Sequence, residues 1–158
     1  MIKIKGGKWV GLDTLAADEL KALRPQAEVA VFRGARHFVN EIKRTLTGPR
    51  SGRPYKVSRT GRTHIAAAPG QPPAVLFGNL RNSVGHTDPK WTGLTISAEV
   101  GPGLTGGDES KIATGYARRQ EYGGVDSRGV YVPAHPYMEP TAVRVEPQLD
   151  QIFEGAFT

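Results

Sequence analysis

The sequence predicts an α+β domain: a long N-terminal helix and a C-terminal helix packed on a mainly antiparallel sheet, with an extended basic hairpin arm. Three observations lead to that class. Apolar residues recur three and four apart over residues 27–46 and again over 142–156, as on helices with one buried face. Residues 91–100 alternate apolar with polar, as a half-buried strand does. Between these segments, from Lys43 to Gly85, stand eight Lys and Arg residues and no Asp or Glu, in a stretch broken repeatedly by Gly and Pro.

The elements follow in chain order. Met1-Ile2-Lys3-Ile4-Lys5 alternates apolar and charged residues as a short strand does, and lacks the apolar core of a signal peptide. Asp13 suits the N-cap of a short helix over Thr14 to Leu23, carrying Leu12, Leu15, Leu20 and Leu23 and ended by Pro25. Pro25 then fits the first turn of a second, longer helix. Ala27, Val31, Ala35, Phe38, Ile42 and Leu46 form its apolar face, with Val29 on the polar side.

Tyr55-Lys56-Val57 and Thr63-His64-Ile65 read as two short strands joined over Arg59-Thr60-Gly61-Arg62. Pro69, Pro72 and Pro73 force an extended path toward a helical turn or two over Leu76 to Val84. Trp91 to Val100 reads as one strand whose Leu94, Ile96, Ala98 and Val100 face inward. Gly101 to Gly107 reads as a loop, and Ile112 to Tyr122 fits either a helix or an edge strand. Val130 to Val132 is a last strand, followed by a C-terminal helix with Ala142, Val145, Leu149, Ile152 and Ala156 on one side. Pro147 either kinks that helix or marks its start.

Composition bounds the function classes. A length of 158 residues predicts one domain, within which residues 45–75 form the projecting arm. Only 38% of residues are hydrophobic while 20 are Gly and 12 Pro, which suits a small core with long excursions. A net charge of +6 and a pI near 9.8 favour an anionic partner. With no cysteine, a disulfide framework and thiolate chemistry are excluded. No stretch has the length of apolar residues a membrane span needs, so the expectation is a soluble protein made in a cytoplasm.

Catalytic and cofactor motifs fare poorly. Gly101-Pro102-Gly103-Leu104-Thr105-Gly106 matches the dinucleotide pattern G-x-G-x-x-G literally. It lacks the βαβ context, and Asp108-Glu109 follow where a phosphate would sit, so no cofactor is expected. His37, His64, His86 and His135 show no ligand spacing, so no metal is expected. Ser51, Ser83 and Ser110 lack the nucleophile elbow, so no catalytic residue is assigned. The basic arm is left as the informative feature, and Arg50, Arg53, Lys56, Arg59 and Arg62 are its candidate contacts with a partner subunit or DNA. It reads as a dock for an acidic groove on a neighbouring subunit, as a phosphate contact with Tyr55 its one aromatic, or as a solvated hairpin.

The order of motifs also carries a family resemblance. A long helix is followed by Thr47-Gly48 and Ser51-Gly52-Arg53, by Ala68-Pro69-Gly70-Gln71-Pro72-Pro73-Ala74, and by Gly78-Asn79-Leu80-Arg81-Asn82-Ser83-Val84. Tyr116-Ala117, Glu121-Tyr122-Gly123 and Pro133-Ala134-His135-Pro136-Tyr137-Met138 with Pro140 close the series. From about Phe32 to Ile152 this resembles the minor virion proteins of the head-to-tail connector in tailed bacteriophages of siphophage type. Phe77 stands before Gly78 where that family often has Thr, and Pro147 interrupts the final helix. The resemblance implies a neck, tail-completion or tail-terminator protein without enzymatic activity, assembled in the host cytoplasm and located in the virion. It implies a homo-oligomeric ring, a hexamer being favoured over a dodecamer, that meets portal, adaptor or head-closure proteins and the tail tube protein. Non-specific contact with packaged DNA is a further expected role for the arm, and no membrane contact is expected. Tyr116, Glu121 and Tyr137 are then residues of the fold or the subunit interface. The alternatives are a stand-alone basic nucleic-acid-binding protein and, third, a small hydrolase.

Overall fold

A computed structural model describes residues 2–3 and 17–157, the side chains of 2–3, 17–21 and 107–114 excepted. Ile2–Lys3 forms the short strand β1, and a single 31-residue helix, α1, runs from Ala17 to Thr47. Two helices meeting at Pro25 were expected, and that division is corrected. Ala22, Arg24, Pro25 and Gln26 all lie at the surface, where water can take the carbonyl that the proline leaves unpaired. The expected cap at Asp13, with Leu12 and Leu15, lies outside the described residues. The apolar face follows the sequence spacing: Val31, Ala35, Phe38, Ile42 and Leu46 are buried and Val29 is exposed.

The next segment forms the antiparallel hairpin of β2 (Pro54–Lys56) and β3 (Thr63–Ile65). Helix α2 (Asn79–Ser83) then leads directly into β4 (Val84–His86). Residues 91–100 are not one strand. Strands β5 (Lys90–Thr92) and β6 (Thr95–Ser97) form a hairpin closed by Gly93-Leu94, and β7 (Glu99–Pro102) follows. Gly93 has φ 62°, which only glycine adopts without strain, and so the chain reverses there. Leu94 therefore stands exposed at the turn, while Ile96, Ala98 and Val100 keep the expected inward alternation.

Gly101 and Pro102 belong to β7, and the segment left open between helix and strand is helix α3 (Gly107–Tyr122). β8 (Gly124–Val125) pairs with β9 (Tyr131–Val132), and α4 (Met138–Glu154) closes the described chain. Pro147 neither starts nor ends α4; its side chain is exposed, and Ala156 falls beyond the helix.

The fold is α+β. The central sheet has the order β1-β7-β4, antiparallel throughout, with Ile2 opposite Val100 and Gly85 opposite Gly101. Because β7 is antiparallel to both neighbours, the glycine motif at its end has no parallel βαβ setting. Helix α1 lies across the sheet and against α4, with Leu149 and Phe153 touching Gly34, where an added Cβ would sit 3.2 Å from the Phe153 ring. The core joins Val31, Phe38 and Ile42 of α1 to Val84, Val100, Tyr137 and Val145. Two polar links fix the packing. Glu41, nearly buried, pairs with Arg44 and with Arg144 of α4, and Thr45 hydrogen-bonds Thr141 across the helix interface at 2.9 Å.

Candidate interaction surface

The root of the basic hairpin is built around Arg50. A helix ends with carbonyls that have no partner of their own, and α1 ends at Thr47. The Arg50 guanidinium donates to the carbonyl oxygens of Thr45 and Leu46 at 2.9 Å each, of Gly48 at 2.6 Å and of Pro49 at 2.9 Å. It also reaches Pro73 O, 3.0 Å from Nη2. One side chain thus closes the helix and ties both strands of the excursion together. Partial burial pushes its pKa below the usual arginine value. Of the five candidate contacts, Arg50 is therefore structural, because its donors are spent inside the chain.

The rest of the root is equally fixed. Gly52 donates to Ala66 O at 3.0 Å, so close that a Cβ on Gly52 would lie 2.6 Å from that oxygen. The Gln71 side-chain oxygen accepts from the amides of Ser51 and Ala68, both at 3.1 Å. His135 joins Gln71 O through Nδ1 at 2.9 Å and donates its amide to Gln120 O, which ties the loop to the end of α3. His135 is thus structural.

Beyond this root the hairpin pairs Tyr55 with His64, rings 5.4 Å apart and edge to face, and turns where Thr60 and Gly61 donate to Val57 O. Arg59 folds back over the Phe77 ring at 4.2 Å. Arg53, Lys56 and Arg62 are exposed, and none makes an ion pair among the described residues. Tyr55 and Ile65 are exposed beside them. The five candidates thus separate into one helix cap, one cation held over a ring, and three cations unpaired among the described residues. A cleft of about 340 Å³ between the hairpin and the body is lined by Tyr55 and His64 of the hairpin and by Phe77, Tyr116, Gln120 and His135.

Tyr116, Glu121 and Tyr137 meet at the junction of α3 and α4. The Glu121 carboxylate is nearly buried and accepts the amides of Tyr137, Met138 and Glu139 at 2.9 to 3.0 Å. It caps α4 from a neighbouring helix, since Tyr137 at the N-cap has no side chain suited to the task. Tyr137 is buried, and desolvation with the nearby Glu121 charge pushes its pKa far up. Burial also raises Tyr116, opposed by its hydrogen bond to the Leu80 backbone.

On another flank of α3 runs a larger groove of about 1090 Å³, lined among others by Val100, Leu104, Tyr122, Met138 and Val143. Its α4 wall continues into a surface that sequence reasoning did not single out. Glu139, Val143, Glu146, Asp150 and Glu154 recur at helical spacing on one outer face, all exposed. None of the four acids makes an ion pair among the described residues.

Catalytic arrangements are weak by comparison. Ser83 is buried and donates to Leu80 O at 2.8 Å, and Ser51 is exposed with no histidine bonded to it. Among the described residues no group of three His, Asp or Glu could hold a metal ion. No helix among them is long and apolar enough to cross a membrane. No family model, curated protein or solved structure matches the chain.

Proposed function

We propose that the chain is a structural protein of the head–tail junction of a tailed bacteriophage, a neck or tail-completion subunit that acts by forming a ring. The observation that carries this reading is the hairpin. Its root is locked to the body by Arg50, Gln71 and His135, while Arg53, Lys56, Arg62, Tyr55 and Ile65 beyond the root are uncovered. A solvated loop has no use for so elaborate a root, whereas a subunit that must present an arm to its neighbour does. A cyclic assembly then buries each arm in the next copy, with a hexamer favoured over a dodecamer. Portal or head-closure proteins on one side and the tail tube protein on the other are the partners this reading requires. No catalytic step is assigned to it.

The test is the mass of the purified protein by light scattering over a wide concentration range. Its comparison is a chain in which Asn-Gly replaces residues 54–65, so that Arg53 and Ala66 are joined by a two-residue turn and Arg50 is untouched. A discrete ring-sized species that the shortened chain cannot form is the expected result. A second reading, nucleic-acid binding by a monomer, is favoured by Arg53, Lys56 and Arg62, unpaired among the described residues. It predicts a monomer whose DNA affinity falls steeply with salt and is lost with the arm, and that result refutes the ring.

A further inference from the structure

The geometry points to the occupant of the large groove: the basic hairpin arm of a second copy of this chain, lying along the acidic outer face of α4. This inference rests on the ring-forming reading and specifies its contact. Three observations combine. The first is charge. The arm carries Arg53, Lys56 and Arg62, which have no ion-pair partner among the described residues, in a stretch with no acid between Glu41 and Asp88. The outer face of α4 carries Glu139, Glu146, Asp150 and Glu154, and Arg144 is the only cation from Met138 to the end of the chain. Arg144 is itself engaged with Glu41 and Thr45. Each surface lacks what the other supplies.

The second is shape and apolar content. The paired legs of the arm, Pro54–Lys56 and Thr63–Ile65, are about 10 Å long at strand rise, and the turn of residues 57–62 extends beyond them, so the arm covers part of the helix face. The face from Glu139 to Glu154 spans about 22 Å at helical rise. Tyr55 and Ile65 stand exposed among the arm cations, and Tyr122 and Val143, 71% and 68% exposed, stand beside the acids at the groove. Paired, these side chains leave water together, as the centre of an interface requires.

The third is placement. Tyr116 and Gln120 of α3 face the cleft beside the arm, whereas Ala117, Arg118, Glu121 and Tyr122 face the groove. Positions 116 and 120 lie close together around the helix, with 118, 121 and 122 on its other side. Arm and groove therefore sit on different flanks of one helix. Repeated head to tail, such a contact joins each arm to the next groove and gives a closed ring or an open filament; exchanged reciprocally, it gives a two-fold dimer, and the assembled mass separates the two.

The experiment compares assembly of the full chain with two charge reversals and their combination. Glu146→Lys with Asp150→Lys reverses the helix face, and Lys56→Glu with Arg62→Glu reverses the arm. All four positions are exposed, and circular dichroism checks the fold. Each reversal is expected to raise the concentration for half-assembly by roughly tenfold or more, the scale of close interfacial charge pairs. The chain with both reversals, and an equal mixture of the two reversed chains, are expected to recover most of the loss. An oligomer indifferent to both reversals, or a loss that neither combination restores, overturns the docking and leaves the ring reading intact. A wild-type chain that is monomeric at every concentration overturns both.

Discussion

Replacing Arg50 by Ala removes six hydrogen bonds to five carbonyl oxygens, in a chain whose other arm cations touch little. Thr45 O, Leu46 O and Gly48 O then lose a partner at the end of α1, and Pro73 O loses the link that holds the returning strand. A hydrogen bond to a charged donor is worth about 1.5–3 kcal/mol, but carbonyls beside a half-exposed arginine regain water when it leaves. The set as a whole is therefore expected to cost about 2–3 kcal/mol rather than the sum of its members. Arg50→Lys is expected to recover less than half, because an ammonium has three donors and no planar fork to bridge Thr45, Gly48 and Pro73 at once. Arg53→Ala, Lys56→Ala and Arg62→Ala are each expected to fall within about 0.5 kcal/mol of the parent. Urea unfolding at one fixed protein concentration reads the difference, since association would otherwise contribute to stability. With a slope of about 2 kcal/mol/M, the Arg50→Ala midpoint should fall by about 1–1.5 M with the slope unchanged. An Arg50→Ala midpoint no lower than that of Arg53→Ala refutes the capping role.

Two further predictions concern the other polar anchors. Glu121→Gln keeps the shape but offers one oxygen where two now accept the amides of Tyr137, Met138 and Glu139. A loss of about 2 kcal/mol, or about 6 °C in Tm, is expected by calorimetry, and an unchanged Tm refutes the cap. Asp126 accepts the amides of Val130 and Arg128 and pairs with the Arg128 guanidinium, which together lower its pKa to about 2. Because the folded value lies below the ordinary 3.8, this turn's contribution is fully present above about pH 4 and is lost as pH falls through 2. A carboxyl titration followed by NMR should give that midpoint, Arg128→Gln should raise it, and an ordinary aspartate midpoint in the parent counts against the turn.

How much of this was legible in the sequence depended on distance along the chain. The faces of α1 and α4 are set by apolar spacing, and both appear where the spacing put them. Pro25 and Pro147 misled because a proline costs a helix one hydrogen bond, and packing by the remaining turns, here through Val31 and Val145, outweighs it. Gly93 hid a hairpin because Leu94, exposed at the turn, keeps the sequence phase of Ile96, Ala98 and Val100. The arm's two strands were readable from local pattern, yet the role of Arg50 was not. Its partners include Pro73, and nothing local announces which of several arginines will fold back onto its own helix. Glu121 was equally hidden, since it serves residues 16 to 18 positions ahead. The acidic face of α4 was accessible in principle: positions 139, 143, 146, 150 and 154 have the spacing of one helical face once the helix is known to pass through Pro147.

These hidden anchors bear on how an arm can join subunits. Ordering a flexible hairpin at the moment of contact would cost about 1–2 kcal/mol per residue in backbone entropy, enough over a dozen residues to cancel an ordinary interface. Here the ladder of β2 and β3, the Gly52–Ala66 contact and the Arg50 cap meet that cost within the folded subunit. What is left for association is to remove Tyr55, Ile65, Tyr122 and Val143 from water and to pair charges that the folded chain keeps apart. Placing the cations on the arm and the acids on α4, with α3 between them, also keeps a subunit from satisfying itself. The charge therefore selects a neighbour rather than the chain's own surface, and the direction of that selection is what turns a basic arm into an assembly device.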